Sequence, residues 1–192
     1  IKRVSRIVPS VRWVVGNYRP NQLTRCREMQ IAANVSAPLE YFVNSTSEVI
    51  EAADCCFMVS GSISLELLAR QTPGIVLYRA NSIGRFVARF LMICRFITLP
   101  NLIADQEVMP EFISAGNPEK DIRTITNLLM EWVSKPEVVA AKKETLARLA
   151  GHATMTGATG RTAQLLLNLM DGKGVNNEAA PRMILPFRKD AA

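Results

Sequence analysis

A chain of 192 residues, 48% hydrophobic and 21% charged, is long enough to bury a sizeable core and too apolar to stay disordered. Four cysteines without a Cys-x-x-Cys pair, and one histidine, His152, exclude a disulfide scaffold and argue against zinc or histidine-based chemistry. A net charge of +6 favours an anionic partner, but 6% aromatic residues with no basic–aromatic alternation speak against nucleic acid.

Residues 1–8 are basic and apolar but lack the continuous apolar core and cleavage site of a secretory leader. Val11, Arg12, Trp13, Val14 and Val15, closed by Gly16 and Asn17, read as a strand. Residues 20–34 read as a helix with Leu23, Met29 and Ile31 on one face, and residues 39–43 as a second strand. Ser47 is the expected cap of a short helix with Val49, Ile50 and Ala53 facing inward. The apolar run 54–59 predicts a strand buried on both faces of a parallel sheet, with Cys55 and Cys56 as core residues. A tight turn at 60–62 leads into a helix over 63–70 with Ile63, Leu67 and Leu68 inward, and Pro73 and Gly74 break it before a strand at 75–78. This alternation predicts an α/β fold, Rossmann-like, with a mostly parallel sheet and helices on both faces.

Further along, residues 82–94 read as a helix, 96–99 as a short strand ending at Pro100 and Asn101, and 111–114 as loop. Helices are expected at 118–134, 136–150 and 162–170, the first two with Pro near the start. Residues 1–170 form one expected unit, and 171–192 a poorly ordered tail. No run approaches the ~20 apolar residues of a membrane helix. The most apolar stretch, 83–97, is interrupted by Arg85, Arg89 and Arg95. Arg85 and Arg89 stand beside Phe86, Phe90, Leu91 and Ile93. That pattern fits a helix lying on an anionic membrane surface, or a core helix with a basic edge.

In an open parallel sheet, ligands bind beyond the carboxyl ends of the strands, and three loops stand there. Ser60, Gly61 and Ser62 open a helix whose free N–H groups suit a phosphate. Glu66, about one turn further, can accept two ribose hydroxyls. The same residues also make a serine-capped helix start with a stabilising acid, and spacing alone leaves both readings open. Arg79 suits a phosphate and Tyr78 a base or sugar, or the pair is an edge tyrosine and a solvated arginine. Asn101 can bond a base, ribose or diphosphate, or serve as a turn residue. His152 receives no role.

At these loops the chain resembles the lipid-A-disaccharide synthase family. The resemblance rests on Val59-Ser60-Gly61-Ser62-Ile63-Ser64-Leu65-Glu66, on Pro73 through Tyr78-Arg79, on Ile97-Thr98-Leu99-Pro100-Asn101-Leu102-Ile103, and on Val108-Met109-Pro110-Glu111-Phe112. It implies the C-terminal, donor-binding half of a two-domain GT-B glycosyltransferase. It further implies transfer of 2,3-diacylglucosamine from UDP to 2,3-diacylglucosamine 1-phosphate, with no cofactor or metal. The resemblance carries Ser60, Gly61, Ser62, Glu66, Tyr78, Arg79 and Asn101 over as UDP-sugar contacts. It assigns no catalytic base. It places the work in the cytoplasm, at the inner face of the inner membrane. The family's N-terminal domain and the first strand of its C-terminal half have no counterpart in these residues. The expected protein partner is that missing portion or a second copy. Against the enzyme stands a non-catalytic remnant that binds UDP or a partner, or another UDP-sugar transferase or epimerase of this fold.

Overall fold

The computed structural model describes residues 1–17, 19–59, 61–80, 95–153 and 158–171. In chain order the elements are α1 (Lys2–Ile7), β1 (Trp13–Asn17), α2 (Pro20–Ala32), β2 (Leu39–Val43), α3 (Thr46–Ala52), β3 (Cys56–Met58) and α4 (Ile63–Ala69). There follow β4 (Gly74–Ala80), α5 (Leu99–Ala104), β5 (Glu111–Ala115), α6 (Glu119–Ser134), α7 (Pro136–Ala153) and α8 (Ala158–Met170). Every described strand pair is parallel, and the fold is α/β. The strands form two sheets, β1–β2 and β3–β4–β5. No described helix is long and apolar enough to cross a membrane. The predicted helix at 82–94 lies outside the described residues, as does the tail from 172 onward.

Alternation along β4 sorts the core into two faces. Val76 and Tyr78 point into a cluster with Ile50, Met58, Leu67, Leu68, Leu146 and Leu149. Ile75 and Leu77 point the other way, to Phe112, Ile125, Trp132 and Val139. Helices α3, α4, α5 and the later turns of α7 thus cover one face, and α6 with the first turn of α7 the other.

Several elements differ from the sequence expectation, each for a tertiary reason. The run at 54–59 gives only the three paired residues of β3, and Phe57 is 50% exposed. Among the described residues β3 stands at the edge of its sheet, paired with β4 alone. The buried strand is instead β4, whose Gly74, Ile75 and Val76 are all buried. Residues 96–99 are not a strand: Leu99 begins α5, and Pro100 occupies its first turn, where a missing N–H costs nothing. Residues 111–114, expected as loop, belong to β5, in register with β4 from Val76 to Ala80. Ser45, not Ser47, precedes α3, and Ser47 is the second residue of the helix, within its first turn. Met29 and Ile31 of α2 are 62% and 79% exposed, so the expected inward face of that helix is not buried.

Cys55 and Cys56 are free thiols in the core region. Burial, with Asp54 nearby, pushes the Cys55 thiol up to about 11. Burial, with Cys55 beside it, pushes Cys56 up to about 12. At pH 8 Cys56 is thus held as the thiol, and the thiolate is the reactive form. Brief iodoacetamide labelling at pH 8 is therefore expected to modify Cys26 well before Cys56, as read by peptide mass spectrometry. The fold keeps these thiols protonated where an unfolded chain ionises them. Their contribution is intact below pH 9 and shrinks as pH climbs toward 12.

Candidate functional site

The turn after β3 and the end of β4 lie side by side at the carboxyl edge of the three-stranded sheet. Gly61 and Ser62 are exposed there, and a Cβ built on Gly61 meets nothing within 4 Å. A ligand can therefore approach this backbone closely. Ser62 is the residue before α4, yet its side chain makes no capping bond. The turn is tied down instead by Ser64, fully buried, whose Oγ donates to the Gly61 carbonyl at 2.8 Å. That leaves the Ser62 hydroxyl available to a ligand. Ser60 lies outside the described residues.

Glu66 stands one turn into α4, as the spacing predicts, but it faces α3. Its Oε1 accepts from the Ser47 hydroxyl and from Arg70 Nε at 3.3 Å. Arg70 in turn reaches Glu51 at 2.6 Å. The Glu66 side chain remains 33% exposed. Sequence reading missed Ser47 as its partner, because the contact joins residues 19 apart on different helices.

Tyr78 and Arg79 do not flank the turn from one side. Tyr78 packs into the core beneath α4, while Arg79, the next residue, points to the α6 face and is exposed. Arg79 makes no ion pair among the described residues, which leaves its guanidinium open to an anion.

Asn101 has a different occupation from the one expected of a loop residue. It is fully buried in α5. Its Nδ2 donates to the Met109 carbonyl at 2.7 Å and to Glu111 Oε1 at 2.8 Å. Its Oδ1 accepts the Val108 and Met109 N–H groups, each at 2.8 Å. Glu111 also accepts the N–H groups of Ile97 (2.9 Å) and Thr98 (2.7 Å), and the Thr98 hydroxyl (2.6 Å). This network clamps the entry to α5 onto the start of β5. Sequence reading missed Glu111 and Thr98. Their only signal was position: Thr98 immediately precedes Leu-Pro-Asn, and Glu111 ends Met-Pro-Glu.

Basic charge also gathers between α1 and α6, where Lys2, Arg3, Arg6 and Arg123 line one shallow depression. Arg3 is paired with Glu119, and Lys2 donates to the Ala33 carbonyl.

Residues 2–165 match the protein family described as lipid-A-disaccharide synthetase. The lipid-A-disaccharide synthase of Syntrophus aciditrophicus is 32% identical over 127 residues, 66% of this chain and 32% of that protein. That of Psychromonas ingrahamii is 30% identical over 108 residues, 56% of this chain and 28% of that protein. That of Rickettsia conorii is 40% identical over 72 residues, 38% of this chain and 16% of that protein. The matched stretch thus spans about a third or less of each relative's length.

Proposed function

This chain belongs to the lipid-A-disaccharide synthetase family, and we propose that it forms the UDP-sugar-holding half of a glycosyltransferase of lipid A assembly. The donor is UDP-2,3-diacylglucosamine and the acceptor 2,3-diacylglucosamine 1-phosphate. Residues 1–170 are the donor-binding unit. The acylated substrates bring the working enzyme to a membrane surface. The observation that carries this reading is the exposed Gly61–Ser62 turn, with its unspent hydroxyl, at the start of a helix beyond the sheet's carboxyl edge.

In this reading the N–H groups at the start of α4 and the Ser60 and Ser62 hydroxyls hold the diphosphate. They stabilise its charge as the acceptor 6-hydroxyl displaces it from the anomeric carbon. Arg79 adds a cation, and Tyr78 shapes the floor. Glu66 accepts ribose hydroxyls through the exposed part of its carboxylate, while Ser47 and Arg70 hold the rest. Asn101 acts through the Glu111 clamp, as a positioning residue rather than a ligand contact.

Calorimetric titration tests this reading. Glu66→Ala is expected to weaken UDP binding by about 1–3 kcal/mol, the scale of a charge-assisted hydrogen bond, and to leave inorganic diphosphate binding unchanged. Equal loss for both ligands would remove Glu66 from the ribose. Ser47→Ala is the control: if it reproduces the loss, Glu66 matters only for the α3–α4 contact. Raising ionic strength should weaken UDP binding, since its exposed charges are screened.

A further inference from the structure

Residues 1–32 carry seven Lys or Arg and one acid, Glu28, a balance of +6 that equals the net charge of the whole chain. The remaining residues balance one another, so the positive field originates in α1, β1 and α2. Packing gathers part of this charge in one place. Trp13 of β1 donates its Nε1 to Ser5 at 2.7 Å, and Val4 is buried, which seats α1 on the sheet. Arg3 then reaches Glu119 of α6 at 2.6 Å, so α1 and α6 lie side by side. Between them Lys2, Arg3, Arg6, Arg123, Thr126 and Asn127 line an open depression of about 760 Å³.

The charge in this depression is largely unneutralised. Glu119 is taken by Arg3. Lys2 spends one N–H on the Ala33 carbonyl at 3.2 Å and keeps two. The side chains of Arg6 and Arg123 are exposed and make no ion pair or hydrogen bond among the described residues. The Asn127 amide is likewise without a partner there. Thr126 turns its hydroxyl to the Ile122 carbonyl at 2.7 Å, so the donors left for a ligand are Lys2, Arg6, Arg123 and Asn127. Like charges gathered around one cavity repel, and an entering anion relieves that repulsion.

We propose that the depression between α1 and α6 binds a phosphate-bearing ligand, with Arg6 and Arg123 as its clamp and Lys2 and Asn127 as further donors. Three of the four cations are Arg, whose planar fork matches two oxygens of one phosphate, whereas lysines act as point charges. The volume lies within the ~300–1,000 Å³ of small-ligand sites. The site shares no residue with the Gly61–Ser62 turn, and it stands independently of the donor reading. A soluble organic phosphate and a lipid headgroup present the same oxygens, so the chemistry common to both is what the site recognises.

The test titrates the full chain with inorganic diphosphate and follows amide NMR shifts at Arg6, Ile7, Arg123 and Asn127. Gly61 and Ser62 are read in the same spectra. Saturable shifts are expected in the α1–α6 group, whatever happens at Gly61 and Ser62. Arg6→Gln and Arg123→Gln should each weaken this event by about tenfold, the scale of a lost charge-assisted bond. Arg25→Gln removes an equal charge from α2, outside the depression, and should weaken it by about twofold at most. Both clamp variants should keep the dispersed spectrum of the parent, because neither side chain holds the fold together.

Vesicle sedimentation separates the two sources. Shifts with diphosphate and no vesicle binding assign a soluble ligand. Binding to phosphatidic acid vesicles but not to phosphatidylcholine vesicles, lost in Arg123→Gln, assigns a headgroup. Either result, or both together, supports the site, and the absence of both overturns it. A response to citrate as strong as that to diphosphate overturns the choice of phosphate. A response that Arg6→Gln and Arg123→Gln leave unchanged overturns the clamp. Shifts at Gly61 and Ser62 alone overturn this proposal and leave the donor reading intact.

Discussion

Asn101→Ala is expected to lower the unfolding free energy by about 3–5 kcal/mol and the melting temperature by roughly 10 °C. The side chain is fully buried and makes four hydrogen bonds, two given and two received. Alanine strands the Val108 and Met109 N–H groups, the Met109 carbonyl and one Glu111 contact where water cannot reach them. Each such buried group costs about 1–3 kcal/mol, and partial relaxation keeps the sum below the full total. Asn101→Asp should fare no better, because an ionised carboxylate has no donor for Glu111 or the Met109 carbonyl. Thermal and urea unfolding check both variants. A loss under about 1 kcal/mol, accompanied by lost UDP binding, would place the amide in the ligand site after all.

What the sequence made legible was the local part of this arrangement. β4, α6 and α7 announce themselves through β-branched runs or through Pro at a helix start, and they form within a few residues of where expected, whereas β1 forms two residues late, at Trp13–Asn17, taking in the Gly16 and Asn17 expected to end it. The swap around residues 96–115 was not legible, because Pro100 ends a strand as readily as it starts a helix. The bonds that decide the matter join Asn101 and Thr98 to Glu111 across an irregular stretch. The burial of β3 was equally hidden. An apolar run looks the same at the centre and at the edge of a sheet, and only the pairing tells them apart. At the candidate site, the sequence placed Ser62 and Glu66 one helical turn apart. It did not reveal that Ser64 ties the turn or that Ser47 holds Glu66, because neither bond follows from that spacing.

Gly74→Ala is expected to destabilise the fold by about 1–3 kcal/mol, although alanine in a strand otherwise restricts the unfolded chain favourably. A Cβ there would lie 2.7 Å from Leu67 Cδ2 and 3.4 Å from Met58 Cε. Leu67 is fully buried, so its methyl has no solvent to retreat into. The bare α-carbon at the start of β4 thus lets α4 settle onto the sheet, and α4 carries Glu66 and is entered through Ser62. Leu67→Ala alone should cost about 2–5 kcal/mol by opening a cavity. The new methyl at position 74 would fill part of that cavity. The double variant should therefore cost less than the sum of the singles, by at least about 1 kcal/mol. Additive costs would show that Leu67 repacks freely and that Gly74 does not seat α4. UDP affinity should follow the same cycle: weakened by Gly74→Ala alone, and partly restored when Leu67→Ala is added.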